Sequence, residues 1–334
     1  MYTVVVDAFG GSDRLQIVEQ PTPEPAADQV LVRLTSIGMN YADLMARRGE
    51  YKLISGNPPF TPGIEGGGYI EAVGSAVGDR QVGQRVVLSL AAPASRGLGK
   101  GTYTSHFLTT PEHTIPAPTE IPDDLLGALW LPYLTAWGGL IWQCNLQPGQ
   151  VVLLPAASSS VAIAASQVVK RYGGITLGTT TSPGKVDVLN AMPEAQFDHL
   201  IVTQDDTWWR KVKQLTQGRG VDLAFDPIAA GRFLNQEIRL LAQGGTICIY
   251  GLLGKPDVVD VTPLIRKMGT IRGWLLNGLS GSNREQEGYQ HVLEAIAQGV
   301  YQLPVAQRFA LRDVCAAHES METGKHIGKL ILVP

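Results

Sequence analysis

Val151-Val152-Leu153-Leu154-Pro155-Ala156-Ala157-Ser158-Ser159-Ser160-Val161-Ala162 is the stretch on which the fold turns. Four aliphatic residues without polar alternation mark a strand buried on both faces, as in a parallel sheet. A turn of proline, small residues and serines follows, and a helical pattern then covers 161–172. Beyond it, strands expected at 175–179, 199–203, 221–225 and 246–250 are interleaved with helices at 207–217 and 233–242. Such alternation predicts a doubly wound parallel sheet with helices on both faces.

A strand entering a helix through such a turn presents backbone N–H groups and the positive helix end to a phosphate. Ser158, Ser159 and Ser160 add hydroxyl donors, and Val161 opens the helix. The glycines of G-x-G-x-x-G are missing, so spacing alone also allows a structural turn with no ligand. The next strand ends in Gly178-Thr179-Thr180-Thr181-Ser182-Pro183-Gly184-Lys185. An NAD site wants an Asp or Glu there for the ribose hydroxyls. Hydroxyls and a lysine suit the 2′-phosphate of NADP instead, with Thr179, Ser182 and Lys185 as candidates. The competing reading of Lys185 is a solvated surface lysine.

Working back toward the start, 2–8, 29–37, 69–73 and 85–88 are β-like runs separated by Gly and Pro, with one short helix at 40–48. They predict an antiparallel, barrel-like domain. From 125 to 144 the pattern is helical. After 271 a helix at 284–298 precedes strands at 308–311 and 329–333, a tail able to rejoin the first domain.

The 334 residues suggest about two domains at roughly 150 residues each. With 27 Lys+Arg against 30 Asp+Glu the formal charge is −3, which argues against nucleic-acid and anionic-membrane partners. No apolar run reaches the roughly 18–20 residues of a membrane span. Residues 1–11 lack signal-peptide features. The cytoplasm is the expected location. Cys144, Cys248 and Cys315 are widely spaced in sequence and form neither a disulfide framework nor a zinc knuckle.

Several segments together resemble the medium-chain dehydrogenase/reductase superfamily, and within it the zinc-free quinone oxidoreductases. They are G-M-N-Y-A-D-L-M-A-R-R-G-E-Y (38–51), P-G-I-E-G-G-G-Y-I-E-A-V-G (62–74), V-G-Q-R-V (82–86), L-Q-P-G-Q-V-V-L (146–153), F-D-P-I (225–228) and G-K-L-I-L-V (328–333). The likeness is collinear over nearly the whole chain. It implies a GroES-like β-barrel domain from 1–122 and 272–334, and a Rossmann NADP-binding domain from 123–271. It also implies a homodimer, with 245–251 and 270–276 as contributors. Asn40 stands where zinc members carry their catalytic cysteine, and their G-H-E reads Gly63-Ile64-Glu65. Their later cysteine-containing stretch resembles Leu131-Pro132-Tyr133, and 89–104 holds no cysteine. No metal is expected, because zinc needs three or four donors in tetrahedral order.

The serine turn is similar to one found in some relatives, and to the N-A-S-N-S-G-V-G of 2-enoyl thioester reductases. Without a metal to polarise an alcohol, the expected reaction is hydride delivery from NADPH to a small electrophilic acceptor, a quinone or another activated carbonyl compound. Two alternatives stay open: reduction of the carbon–carbon double bond of a 2-enoyl thioester or enone, and NADPH binding without useful turnover. Tyr51 falls where both reductase groups carry a tyrosine. Its phenol hydrogen-bonds the acceptor oxygen or helps deliver a proton, unless it merely packs a pocket lip. Asn40 is expected to offer its amide to substrate or nicotinamide, or else to cap the helix that follows. Asp43 is expected to fix that loop. Thr135, Tyr250, Gly251, Leu275 and Leu276 resemble the family's contacts to the dinucleotide.

Overall fold

The structure, a computed structural model, describes residues 1–95, 100–255 and 257–334, apart from the side chains of 53, 54, 94 and 95. It divides into two units, Met1–Leu131 with Tyr289–Val300 and Pro304–Pro334, and Pro132–Gly288 with Tyr301–Leu303.

In the first unit β1 (Tyr2–Val6) and β2 (Leu15–Glu19) pair antiparallel. They are followed by β3 (Val30–Gly38), β4 (Gly67–Val73), β5 (Arg85–Leu88), β6 (His106–Thr109) and β7 (Thr114–Pro116). The second unit holds β8 (Val151–Leu154), β9 (Ile175–Thr180), β10 (His199–Val202), β11 (Val221–Asp226), β12 (Leu241–Ile249) and β13 (Thr270–Gly273). The tail returns β14 (Val305–Ala310) and β15 (Lys329–Val333) to the first unit.

The first-unit sheet runs β14-β15-β3-β4-β5-β7, with β6 also on β3. All its pairings are antiparallel except β14 on β15. The tail therefore does rejoin the barrel-like domain: β15 lies against β3 with Ile331 opposite Gly38. Val30, Val32, Leu34, Phe107, Leu330 and Leu332 fill the core beneath.

The second-unit sheet is wholly parallel, ordered β10-β9-β8-β11-β12-β13. β8 is bonded on both sides, which is why Val151 to Leu154 are all buried and lack alternation. The chain leaves β8 toward β9 on one side and reaches β11 on the other. This reversal places a ligand crevice at the carboxyl end of β8.

Some local expectations shift. Residues 125–129 form turns, and the α-helix spans Trp130–Trp137 before widening into a π-helical stretch at Gly138–Gln143. A Cβ on Gly138 would lie 2.4 Å from the Trp274 ring, and one on Gly139 2.5 Å from the Phe225 ring, so glycine lets the helix pass. β12 starts at Leu241, five residues earlier than expected, because buried Leu240 and Leu241 fit a helix end and a strand start equally. The domain boundary expected at 271 falls inside β13, which is hydrogen-bonded to β12 as the last strand of the parallel sheet. Helices Gly184–Ala191, Thr262–Lys267 and Val314–Glu322 had no counterpart in the sequence reading. Cys144 and Cys248, 104 positions apart, are hydrogen-bonded neighbours; the bond pulls the Cys144 thiol down and pushes Cys248 up.

Candidate active site

In the second unit the turn after β8 is held in shape by its own backbone. Ala156 takes a left-handed conformation (φ 53°), Ser159 N–H donates to Ala156 O at 2.8 Å, and Ala157 N–H donates to Thr179 O at 2.8 Å. The last bond ties the turn to the end of β9. Ser159 caps helix Ser160–Arg171, its Oγ accepting from Ala162 N–H at 3.1 Å. The N–H groups of Ser160 and Val161 then head a twelve-residue helix with its positive end toward the crevice.

Lys185 Nζ donates to Ser158 Oγ at 3.0 Å, and burial pulls its pKa down. This bond joins the serine turn to the loop after β9. Ser182 sits in that loop, its N–H donating to Thr180 Oγ1 at 3.1 Å, and Thr179 is buried just before it. Tyr250, at the end of β12, stacks on Phe225 at 4.1 Å and hydrogen-bonds the Ser159 side chain. Burial pushes its phenol well up, so it stays neutral. Lys185 thus meets Ser158, and Tyr250 meets the adjacent Ser159. The Thr135 carbonyl accepts from Trp274 Nε1 at 2.9 Å. Leu275 is exposed and Leu276 buried in the segment that follows Trp274, while Gly251 is half-buried beside Pro227.

A further group was not anticipated here. Asp226 ends β11 and accepts from Ile228 N–H at 2.6 Å and Ala229 N–H at 2.8 Å. Glu237 is buried beside it, its pKa pushed well up by burial and by the Asp226 charge.

In the first unit β3 ends at Gly38 and helix Tyr41–Arg48 begins after Asn40. Asp43 Oδ2 accepts from Asn40 N–H at 2.9 Å, fixing the helix start as expected for this loop. Asp43 Oδ1 accepts from Gly63 N–H at 3.2 Å, and Oδ2 also from the Tyr103 hydroxyl at 3.1 Å. Lys329, unforeseen in the sequence, donates from Nζ to Asn40 Oδ1 at 2.8 Å and to Glu65 Oε1. Asn40 Nδ2 donates to Glu65 Oε1 at 3.0 Å and to Gly38 O at 3.2 Å. Glu65 Oε2 accepts from Leu131 N–H at 3.3 Å. Lys329 is 1% exposed and Glu65 0%, so the pair is desolvated. The signal for Lys329 was present as a lone cation at the head of the apolar run Leu330 to Val333. Tyr51 follows at the start of the short helix Lys52–Ser55; it is half-buried, and burial raises its phenol pKa.

Burial pushes Asp43 up to about 7, against the pull of Asn40 N–H, the Tyr103 hydroxyl and Lys329. An unfolded aspartate ionises near about pH 4. Between these values the folded chain holds a proton that the unfolded chain has released, so the Asp43 contribution to stability declines as pH rises from about 4 to about 7. Tyr103→Phe removes one donor to the carboxylate and extends that decline to higher pH. Its destabilisation, read by urea titration, is therefore expected to be larger at pH 8 than at pH 5; an equal loss at both would contradict the coupling.

Profile comparison matches the alcohol dehydrogenase GroES-like domain over residues 26–119 and a zinc-binding dehydrogenase family over 195–332. The Escherichia coli quinone oxidoreductase complexed with NADPH superposes with a TM-score of 0.88 at 25% identity, covering 100% of each chain. A 2-haloacrylate reductase of Burkholderia sp is 28% identical over 99% of this chain and 98% of its own. One of the phenolphthiocerol/phthiocerol polyketide synthase proteins of Mycobacterium tuberculosis is 28% identical over 98% of this chain, which spans only 14% of that much longer protein. Fold and motifs together place the chain in the medium-chain dehydrogenase/reductase superfamily. It carries a GroES-like domain and a Rossmann-like parallel sheet.

The donor set around Asn40 does not fit the zinc of the matched family. Asn40 Oδ1 and Glu65 Oε1 are engaged by the Lys329 ammonium, and residue 64 is isoleucine. A second cation there would face the first. Among the described residues no three His, Cys, Asp or Glu side chains group to hold a metal, and no helix is long and apolar enough to cross a membrane.

Proposed function

We propose that the protein is a zinc-independent, NADPH-dependent reductase that delivers hydride to a quinone or another activated carbonyl compound. The observation that carries this reading is the Lys185–Ser158 bond, which sets a cation and a cluster of hydroxyls around the crevice at the carboxyl end of β8. No carboxylate stands in the segment 178–185, where an NAD site would want one. Ser159, Ser160, Val161, Thr179 and Ser182 would hold the phosphates and adenosine ribose; Thr135, Asn40, Tyr250, Gly251, Leu275 and Leu276 would hold the nicotinamide half. The NADPH-bound quinone oxidoreductase neighbour supports the reading.

NADPH, when bound, supplies the hydride. The protein's own part is to orient the acceptor and to stabilise charge developing on its oxygen. Tyr51 would hydrogen-bond that oxygen. Its raised pKa keeps the phenol protonated and able to donate. The 2-haloacrylate reductase relative favours a second reading, reduction of an activated carbon–carbon double bond. There Tyr51 would be the proton source. NADPH binding without useful turnover is the third.

Tyr51→Phe separates the first two. Quinone reduction is expected to fall less than about tenfold, whereas loss of an essential proton donor lowers turnover by about 10²–10⁴. The initial rates with an ortho-quinone and with a short 2-enoyl thioester are the readout. A loss of 10² or more on the quinone would overturn the hydrogen-bonding role.

We also propose a cytoplasmic homodimer. β12 is bonded on both sides, so of the two segments expected at the interface only β13 lies at the sheet edge. Ile265 at 79% and Met268 at 68% exposure stand just before it. Light scattering of a monomeric species at micromolar concentration would sink this part.

A further inference from the structure

We propose that Cys144 and Cys248 form a redox-active dithiol, in which a small hydroperoxide oxidises Cys144 and Cys248 then closes a reversible disulfide with it. Neither step depends on which acceptor the protein reduces.

The parallel sheet and the π-helical stretch packed on it bring the two thiols together. In register, Phe225 of β11, Cys248 of β12 and Arg272 of β13 stand side by side, so their side chains share one face. The stretch presses on that face at Gly139, where a Cβ would lie 2.5 Å from the Phe225 ring. Trp142 meets Trp274, two residues beyond Arg272, edge to face with ring centroids 5.7 Å apart. The stretch ends at Cys144, whose N–H donates to Gly139 O at 3.1 Å. The Cys144 sulfur is hydrogen-bonded to that of Cys248. A disulfide needs two side chains that already point at each other, and these do.

The two cysteines differ as such a pair requires. Cys144 is half-buried and Cys248 only 1% exposed, so a small oxidant meets Cys144 first. Cys248 donates to the Cys144 sulfur and so favours its thiolate against the effect of burial, and the Arg272 guanidinium acts in the same direction. That guanidinium is held in place, because Arg272 Nη1 donates to Gln143 O, one residue before Cys144. The same thiol–thiol bond, together with burial, pushes Cys248 up. A partly exposed thiolate beside a cation, with a second thiol at hand, is the setting of a peroxide-sensitive cysteine. Cys315 lies in the first unit, where its thiol donates to Ser12 O at 3.2 Å and burial raises its pKa.

In the first step the Cys144 thiolate attacks an oxygen of the hydroperoxide. The S–O bond forms as the O–O bond breaks, and the departing alkoxide takes up the proton that Cys144 released. In the second, the Cys248 sulfur attacks the Cys144 sulfenic acid. The S–S bond forms, the S–O bond breaks, and the Cys248 proton leaves with the hydroxide as water. Two thiols are oxidised and one hydroperoxide is reduced to an alcohol and water. Exchange with a small dithiol returns both cysteines to the reduced form.

The test takes the intact protein, reduced and freed of reductant, through treatment with hydrogen peroxide, alkylation and peptide mapping by mass spectrometry. Two of the three thiols are expected to be lost together, in a cross-link between the Cys144 and Cys248 peptides that dithiothreitol reverses. Cys248→Ser keeps a donor beside Cys144 but cannot close the disulfide, so dimedone should trap a sulfenic acid on Cys144. Cys144→Ala should lose both the adduct and the cross-link. In urea the exclusive pairing should disappear, because the loop between Cys248 and Cys315 is the shorter one to close. Three free thiols after treatment, a cross-link to Cys315 or between chains, Cys144 oxidised further with no cross-link, or a pairing unchanged in urea would each overturn the proposal. If neither variant folds, the wild-type cross-link decides alone.

Discussion

Glu65→Leu is expected to destabilise the protein by about 3–5 kcal/mol, the range for stripping one partner from a buried ion pair. The reason is the charge left behind. Lys329 is 1% exposed, and its Nζ donates to Asn40 Oδ1 and to the carboxylate that this substitution removes. An isolated ammonium cannot be solvated at that depth. The Leu131 N–H and the Asn40 side-chain Nδ2 lose an acceptor as well. Lys329→Met combined with Glu65→Leu should recover most of the loss, because two apolar side chains replace two charges of similar volume. Urea unfolding of the single and double variants checks both statements. A Glu65→Leu protein within about 1 kcal/mol of wild type would show that the pair is not desolvated as described.

This cluster also marks where sequence reading runs out. The parallel sheet was legible from Val151 to Leu154, because a strand with neighbours on both sides must be apolar throughout. The barrel was legible from the alternation in β3 and β4, and the return of the tail from the residues that became β15. Helices such as Thr262–Lys267 were not, since short and largely exposed segments carry little periodic signal. In the second unit the serines and Lys185 could be read as one site, because both follow directly from strand ends. In the first, Asn40 and Glu65 were seen separately and Lys329 went unnoticed. A lysine at a strand start reads as a solvated end; only the β15–β3 register carries it to Gly38, 291 positions away in the chain. The Asp226–Glu237 and Cys144–Cys248 neighbours escaped for the same reason.

Lys185→Ala is the second large effect. If Lys185 meets the 2′-phosphate, its removal forfeits a charge-assisted hydrogen bond of about 1.5–3 kcal/mol. KM for NADPH should then rise about tenfold to a hundredfold, with kcat little changed, because the contact lies far from the reacting carbon. KM for NADH should hardly move, since NADH has no phosphate at that hydroxyl. Ser158→Ala should give a weaker version of the same split: the lysine keeps its charge and loses only the hydroxyl at 3.0 Å that orients it. A parallel fall in activity with both cofactors would place Lys185 in a structural role.

Initial rates of NADPH and NADH oxidation, measured side by side with an ortho-quinone as acceptor and no added metal, decide whether the protein is a zinc-independent NADPH reductase. Quinone turnover with NADPH strongly preferred, at rates unchanged by a chelator, is the expected result. A preference for NADH, or activity that chelation abolishes, would contradict it.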